Sequence, residues 1–176
     1  MGNGAFPTTV RMLTPTSPEE SSSRPYRGQP DWGAARRVLE PLADSSAVLI
    51  SGSDLKALYY LGRLDVILHA TQLYTPIGRS PEFGLSSTVN RPVISTPESV
   101  ARVMSCVPSG LVIAERSGWR RPWGVPDATA DLLEGHAERV PLPSHWQLLA
   151  FRWREPRGEG SEACSTLLAL WRPRGG

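Results

Sequence analysis

The sequence predicts an α/β fold of three layers, in which a mostly parallel β-sheet is covered by crossover helices and has an antiparallel C-terminal edge. Three short apolar runs carry this prediction, at residues 47–50, 65–68 and 110–115. Two helix-like stretches separate them, at 53–62 and 96–104. Strands that alternate with helices are typical of parallel sheets with crossover connections. Ligands of such sheets bind at the carboxyl ends of the strands, so the residues that follow each strand are candidates for a site.

The 176 residues predict one domain with a tail at each end. Residues 1–29 are rich in Pro, Ser, Thr and Gly, and they are predicted to be a disordered linker. The α/β domain is predicted at 30–153, and 154–176 is predicted to form a loop and a C-terminal edge strand. The linker-like beginning suggests a truncated reading frame or an isolated domain.

The first predicted helix begins after Asp31, whose carboxylate can cap it, and runs to about Leu39. Pro41 is predicted to end it, because proline cannot donate the next helical hydrogen bond. The face that lies on the sheet is predicted to contain Trp32, Ala35, Val38 and Leu39.

The next two helices have terminal signals of their own. Ser51 or Ser53 can cap the second helix, and Gly62 suits the position just after its last turn. Thr96 is the predicted cap of the third helix, with Pro97 in its first position.

The rest of the chain is less regular. A long irregular loop is predicted at 71–91, and a fourth helix at 127–136. Three later runs are typical of strands, at 139–142, 147–153 and 165–171. The second and third of these runs are predicted to pair as an antiparallel hairpin that closes one edge of the sheet.

Charge and hydropathy exclude several classes. The net charge of +2 is too small to favour nucleic-acid binding. Lys56 is the only lysine, and the abundant arginine is better explained by a coding bias than by phosphate recognition. No stretch approaches the ~20 apolar residues of a membrane-spanning helix, and residues 1–11 do not look like a signal peptide. Cys106 and Cys164 match no metal spacing, and two buried free thiols are predicted, with a disulfide only if the fold brings them together.

Four polar residues are predicted to share the rim at the strand ends. Ser53 follows the first strand, His69 the second, and Glu115 and Arg116 the third. Such a group could form a general acid–base set. The alternative is that His69 is a hydrogen-bonded structural residue and Ser53 a plain helix cap.

Sequence motifs give this rim no specific chemistry. The turn at 50–54 is neither the dinucleotide-binding pattern G-x-G-x-x-G nor a phosphate-binding P-loop, and no serine has the G-x-S-x-G context of a hydrolase. The three histidines, His69, His136 and His145, have no metal-ligand spacing. No cofactor and no metal are predicted, and no catalytic residue is assigned.

A basic and aromatic segment at 116–123 is the second candidate site. We call it the basic-aromatic loop, and its candidate binding residues are Arg116, Trp119, Arg120, Arg121 and Trp123. Arginine and tryptophan suit a membrane–water boundary or a lipid phosphate. They also suit a protein contact, and the loop could instead fold its tryptophans onto the core.

Several short segments of the sequence resemble one protein family. They are 26–32 followed by Ala34 and Ala35, 57–63, 91–94 with 97–99, and 108–112. These segments are similar to the soluble C-terminal, extracytoplasmic domain of bacterial membrane glycosyltransferases of family 39, the dolichyl-phosphate-mannose:protein mannosyltransferase-like type. The similarity covers about residues 26–153.

The resemblance implies sugar transfer from a polyprenyl-phosphate donor by a membrane portion that holds the catalytic acids. We therefore expect a non-catalytic accessory domain at the extracytoplasmic face of the bacterial membrane. Its expected partners are the membrane portion of a parent glycosyltransferase, and the membrane surface or a polyprenyl-phosphate sugar. Two alternatives stay open: a stand-alone small-molecule binder or enzyme that uses the strand-end rim, and a protein-interaction module.

Overall fold

A computed structural model describes residues 28–69, 74–77, 80–155 and 164–165, with only the backbone described at 74–77 and 80–82. Its strands form one eight-stranded sheet in the order β3-β4-β5-β2-β1-β6-β8-β7. In chain order the elements are α1 (Trp32–Ser45), β1 (Val48–Ser51), α2 (Asp54–Leu61), β2 (Val66–Leu68), β3 (Tyr74–Ile77), β4 (Ser80–Ser86), β5 (Pro92–Ile94), α3 (Pro97–Cys106), β6 (Gly110–Glu115), α4 (Asp127–His136), β7 (Glu138–Val140) and β8 (Leu148–Trp153).

The predicted fold class is confirmed. The four central strands, β5, β2, β1 and β6, are parallel, and β1 pairs with β6 over its whole length from Val48 opposite Gly110 to Ser51 opposite Ile113. Antiparallel strands extend the sheet at both ends, with β8 and β7 at the C-terminal edge. The chain therefore moves from β1 outward to β2 and β5 on one side, and then crosses to β6 on the other.

Helices cover both faces of the sheet, with an apolar core on each face, and this gives the three layers. Trp32 and Leu39 of α1 and Ala57 of α2 pack with Leu49 and Ile113 on one face. Successive strand residues point to opposite faces, so the intervening strand residues form the second core. This alternation explains why the central strands are continuously apolar.

The second core lies beneath the other two helices. Val100 and Val103 of α3 and Leu133 of α4 pack there with Ile50 and Val112. Both helices have the predicted starts. In particular, Thr96 Oγ1 accepts a hydrogen bond from the Ser99 N–H at 3.2 Å.

The first helix is longer than predicted. Its cap is confirmed, because the Asp31 carboxylate accepts a hydrogen bond from the Ala34 N–H at 2.9 Å. Pro41, however, lies inside the helix, which continues to Ser45. The proline removes one helical hydrogen bond, but the longer helix places Ala43 in the core, where its side chain is 1% exposed.

The prediction that Val38 faces the sheet is wrong. Its side chain is 39% exposed, whereas Trp32, Ala35 and Leu39 are buried. At about 100° per residue, Val38 lies more than a quarter turn from the centre of the stripe that the buried residues form.

The irregular loop predicted at 71–91 instead contains two strands. β3 and β4 pair antiparallel with each other, and β4 pairs antiparallel with β5 from Phe83 opposite Ile94 to Leu85 opposite Pro92. Pro76 is tolerated in β3 because β3 is an edge strand, which does not need every backbone hydrogen bond.

The predicted C-terminal hairpin is not formed by the described residues. β8 pairs with β6 on one side and with β7 on the other, so both of its edges are occupied. The strand predicted at 165–171 lies outside the described residues except for Ser165, whose backbone is helical. The linker predicted at 1–29 also lies outside them, apart from Gly28 and Gln29.

The prediction of two free thiols is wrong. Cys106, at the end of α3, forms a disulfide with Cys164, and their Cα atoms are 5.4 Å apart. The fold brings together two residues that are 58 positions apart in sequence, a separation from which pairing cannot be read.

None of the helices in the described ranges has the length and apolar character needed to cross a membrane.

Candidate functional site

A pocket of about 190 Å³ lies at the carboxyl ends of the parallel strands. Its walls come from 52–53 after β1, 68–69 at the end of β2, 114–115 at the end of β6, and 117–118 with 123–125 from the loop that follows. β1 and β6 are neighbours, but the chain leaves them toward opposite sides of the sheet. Such a switch point opens a crevice between the two following loops, which is where ligands of open α/β sheets bind.

Glu115 is the most connected polar residue of the pocket. Its Oε1 atom accepts three hydrogen bonds, from Ser53 Oγ at 2.8 Å, Lys56 Nζ at 2.8 Å and Trp32 Nε1 at 3.3 Å. These donors come from the start of α1 and from the first turn and cap position of α2. Glu115 therefore ties both helices to the end of β6.

Several groups act on the ionisation of Glu115. Burial raises its pKa, but the hydrogen bonds from Lys56 and Ser53, the charge of Lys56 and the hydrogen bond from Trp32 together outweigh this effect and leave the pKa below its ordinary value. The carboxylate is therefore ionised at neutral pH and cannot act there as a general acid.

The turn after β1 is shaped by small residues. The Ser53 N–H donates to Ser51 Oγ at 3.1 Å, which closes the turn. A Cβ at Gly52 would lie 2.9 Å from the backbone oxygen of Leu68, so only glycine allows the ends of β1 and β2 to approach this closely. Ser53 occupies the cap position of α2, but its side chain makes no capping bond and reaches Glu115 instead.

The loop after β6 is folded back on itself. A 3-10 turn at 116–118 follows the strand, and the Val125 N–H then donates to the Gly118 backbone oxygen at 2.8 Å. A Cβ at Gly124 would overlap the backbone of Gly118. This close contact brings Trp123 and Val125 to the pocket wall.

Two residues of the basic-aromatic loop, Trp119 and Arg120, make contacts within the protein. The Trp119 ring stacks on Phe151 with 5.0 Å between centroids, and its indole N–H donates to Glu134 at 3.2 Å. Arg120 donates to Asp131 and Glu134, each at 2.7 Å. These hydrogen bonds raise the pKa of Arg120, and they fasten the loop to α4.

The predicted site residues divide into those that line the pocket and those that do not. Ser53, His69, Glu115 and Trp123 line the pocket, whereas Arg116, Trp119, Arg120 and Arg121 do not. The Arg116 backbone N–H donates to the Gln147 oxygen at 2.9 Å, and its side-chain Nε is buried without a partner in the described part. Arg121 is exposed, and Trp123 is 59% exposed.

The sequence did not indicate the contribution of Trp32 and Lys56, which bind Glu115 from two different helices. Ser117 was also not predicted, although its position two residues after the end of β6 is the kind of signal that selected Arg116. The sequence spacing of Gly118 and Gly124 does not indicate that their backbones are in contact.

The electrostatics of the pocket are dominated by one carboxylate. Glu115 is ionised, and no lysine or arginine is among the lining residues. Lys56 balances its charge at Oε1, while Oε2 accepts none of the three hydrogen bonds. Within the described ranges, no group of three or more His, Cys, Asp or Glu residues is placed to hold a metal ion.

Comparison with known proteins gave no match: no family model fits the sequence, and neither the curated proteins nor the solved structures contain a significant neighbour.

Proposed function

We propose that this chain is a non-catalytic domain that binds a small ligand in the pocket at the strand ends. The observation that carries the proposal is the state of Glu115, the central polar group of that pocket. Three donors hold one of its oxygens, and its pKa is lowered. A carboxylate so restrained is suited to bind and orient a ligand, and poorly suited to move protons, because the bonds that fix it would oppose its protonation.

The biological setting that we propose is an accessory domain of a polyprenyl-phosphate-sugar-dependent membrane glycosyltransferase, at the extracytoplasmic face. The sequence resemblance supports the first part, and the membrane portion of the parent enzyme would be the main partner. The Cys106–Cys164 disulfide supports the second part, because disulfides persist in oxidising compartments and are rare in the cytosol.

Binding can be tested by NMR on the folded chain. We would add mannose, inorganic phosphate or choline at millimolar concentration and follow the backbone amides of Gly52, Ser53, Gly118 and Gly124. We expect at least one compound to shift these amides in a saturable way. If none of the three classes shifts them, the pocket is not a binding site and the proposal fails.

The non-catalytic part needs a separate assay. We expect the chain alone to leave a polyprenyl-phosphate-mannose donor intact, with no mannose released or transferred to a peptide acceptor. Turnover that is abolished by Glu115→Gln would contradict the proposal and favour a stand-alone enzyme.

A second candidate function is contact with an anionic membrane surface. Arg121 and Trp123 favour it, because both are exposed in the same loop and this pair of residue types suits a membrane–water interface. Co-sedimentation with vesicles that contain phosphatidylglycerol should then be strongest at low salt. It should also weaken in Arg121→Gln. No binding at low salt would exclude this function.

A further inference from the structure

We propose that the pocket takes one neutral, hydroxyl-bearing ring of the size of a single monosaccharide, and that it rejects phosphate groups. This inference rests on the proposed binding function. It is argued from the volume, the charge, the hydrogen-bonding groups and the aromatic wall of the pocket.

The volume sets the size of the ligand. The pocket encloses about 190 Å³, which is below the roughly 300–1,000 Å³ of sites that hold drug-sized ligands or cofactors. A dinucleotide or an oligosaccharide therefore does not fit within it, whereas a single six-membered ring does.

The charges decide against an anion. Glu115 is the charged residue of the lining, and its lowered pKa keeps it negative at neutral pH. A bound phosphate would need a lysine or arginine to pair with, but none is among the lining residues, and the nearby Lys56 is already paired with Glu115. Placing an unpaired anion in a partly desolvated site is unfavourable.

The same charges do not favour a cation. Lys56 Nζ already lies 2.8 Å from Glu115 Oε1, so the pair carries no net charge for a ligand to balance. What remains is hydrogen-bonding capacity, at Glu115 Oε2 and at the Ser117 hydroxyl, which makes no hydrogen bond to the residues the structure describes. Hydroxyl groups, which both donate and accept, match this combination.

Trp123 supplies the apolar part of the site. It lines the pocket, and the residue as a whole is 59% exposed. The face of an indole carries partial negative charge, which attracts the C–H groups on the flat side of a sugar ring. A ring with polar edges and an apolar face can therefore bind both the tryptophan and the carboxylate.

Titration of the folded chain with mannose, glucose, galactose, inorganic phosphate and choline tests the ligand class, with the pocket amides as the readout. We expect at least one hexose to bind and phosphate not to. Trp123→Ala should weaken hexose binding about tenfold. The control Tyr59→Ala removes an aromatic ring that is 81% exposed on α2, outside the pocket, and should leave binding within about twofold.

Each result has a distinct meaning. If phosphate or choline binds at the pocket amides and no hexose does, the ligand class is wrong although the binding function stands. If no compound binds, both proposals fail. Hexose binding that is unchanged in Trp123→Ala would overturn the assigned role of the aromatic wall.

Discussion

The strand-end rim and the basic-aromatic loop follow the same strand, β6, but their polar side chains have opposite uses. At the rim, Glu115 and Ser53 remain in contact with an open pocket. In the loop, Arg120 is bound by carboxylates of α4 and Trp119 stacks on Phe151. The rim is therefore a place where a ligand can be held. Most of the loop instead fixes its own position against α4 and β8, and only Trp123 of its aromatic residues lines the pocket.

This difference teaches that residue type alone does not reveal a binding surface. Arginine and tryptophan are common in binding sites, but they are also the residues best able to fasten a loop, because they reach far and make strong contacts. Position at the end of a parallel strand, which depends only on topology, was the better guide to the residues that line the pocket.

The largest expected effect comes from the contact that shapes the loop. Gly124→Ala places a Cβ against the backbone of Gly118, and we expect it to lower the free energy of unfolding by about 3 kcal/mol. The matched control is Gly118→Ala, whose new Cβ would have its nearest contact at 3.5 Å and should change stability by less than about 0.5 kcal/mol. Urea denaturation of both variants measures this, and equal stabilities would contradict the proposed packing.

The two tryptophans of the loop sharpen the comparison next. Trp119→Ala removes the ring stacked on Phe151 and should cost about 2 kcal/mol, below the value for a fully buried aromatic residue. Trp123→Ala should cost less than about 0.5 kcal/mol, because the side chain is 59% exposed. Thermal unfolding of both variants measures this. A larger loss of stability in Trp123→Ala than in Trp119→Ala would contradict the assignment of Trp119 to loop packing and Trp123 to the pocket wall.

The rim predicts a smaller effect that depends on pH. Glu115→Gln should lower stability by about 1 kcal/mol at neutral pH, since its partners are partly exposed. The pKa of Glu115 is lower in the folded state than its ordinary value of 4.5. Its stabilisation is therefore present above that value and is lost as the pH falls through the folded pKa. The difference between wild type and variant, measured by urea denaturation at each pH, should shrink below about pH 4.5, and a difference that grows as the pH falls would contradict the assigned ionisation of Glu115.

The smallest effect is expected at the exposed ion pairs of Arg120. Arg120→Gln leaves Asp131 and Glu134 without their cation, so its melting temperature should fall slightly at low salt. The difference from wild type should diminish at high salt, which screens the remaining carboxylates. Arg121→Gln is the matched control in the same loop, and it should behave like wild type at all salt concentrations.

The sequence predicted β1, β2 and β6 because apolar runs, caps and turn glycines all agreed there, whereas β5 was not predicted as a strand. Gly62 has the positive φ of 64° expected after a helix, and α4 begins and ends as predicted. The hairpin of β3 and β4 was missed because prolines and glycines at a sheet edge look like a loop. The disulfide and the helix past Pro41 depend on contacts between distant segments, which local patterns do not contain.

The candidate site was likewise predicted only in part, because topology can be read from the sequence and contacts between distant segments cannot. Strand ends at one edge of a parallel sheet are a consequence of topology, so Ser53, His69 and Glu115 could be grouped in advance. Arg116 could not be excluded, because whether a side chain next to a strand end faces the pocket depends on the local turn. Lys56 and Trp32 were missed because they belong to two different helices, which only the folded chain brings next to Glu115.

The most direct test of the central claim is a crystal structure of the chain soaked with the hexose that binds in solution. We predict one sugar ring between the ends of β1 and β6, with a hydroxyl on Glu115 Oε2 and one face on Trp123. Density for the sugar elsewhere on the chain, with the strand-end pocket left without it, would contradict the account.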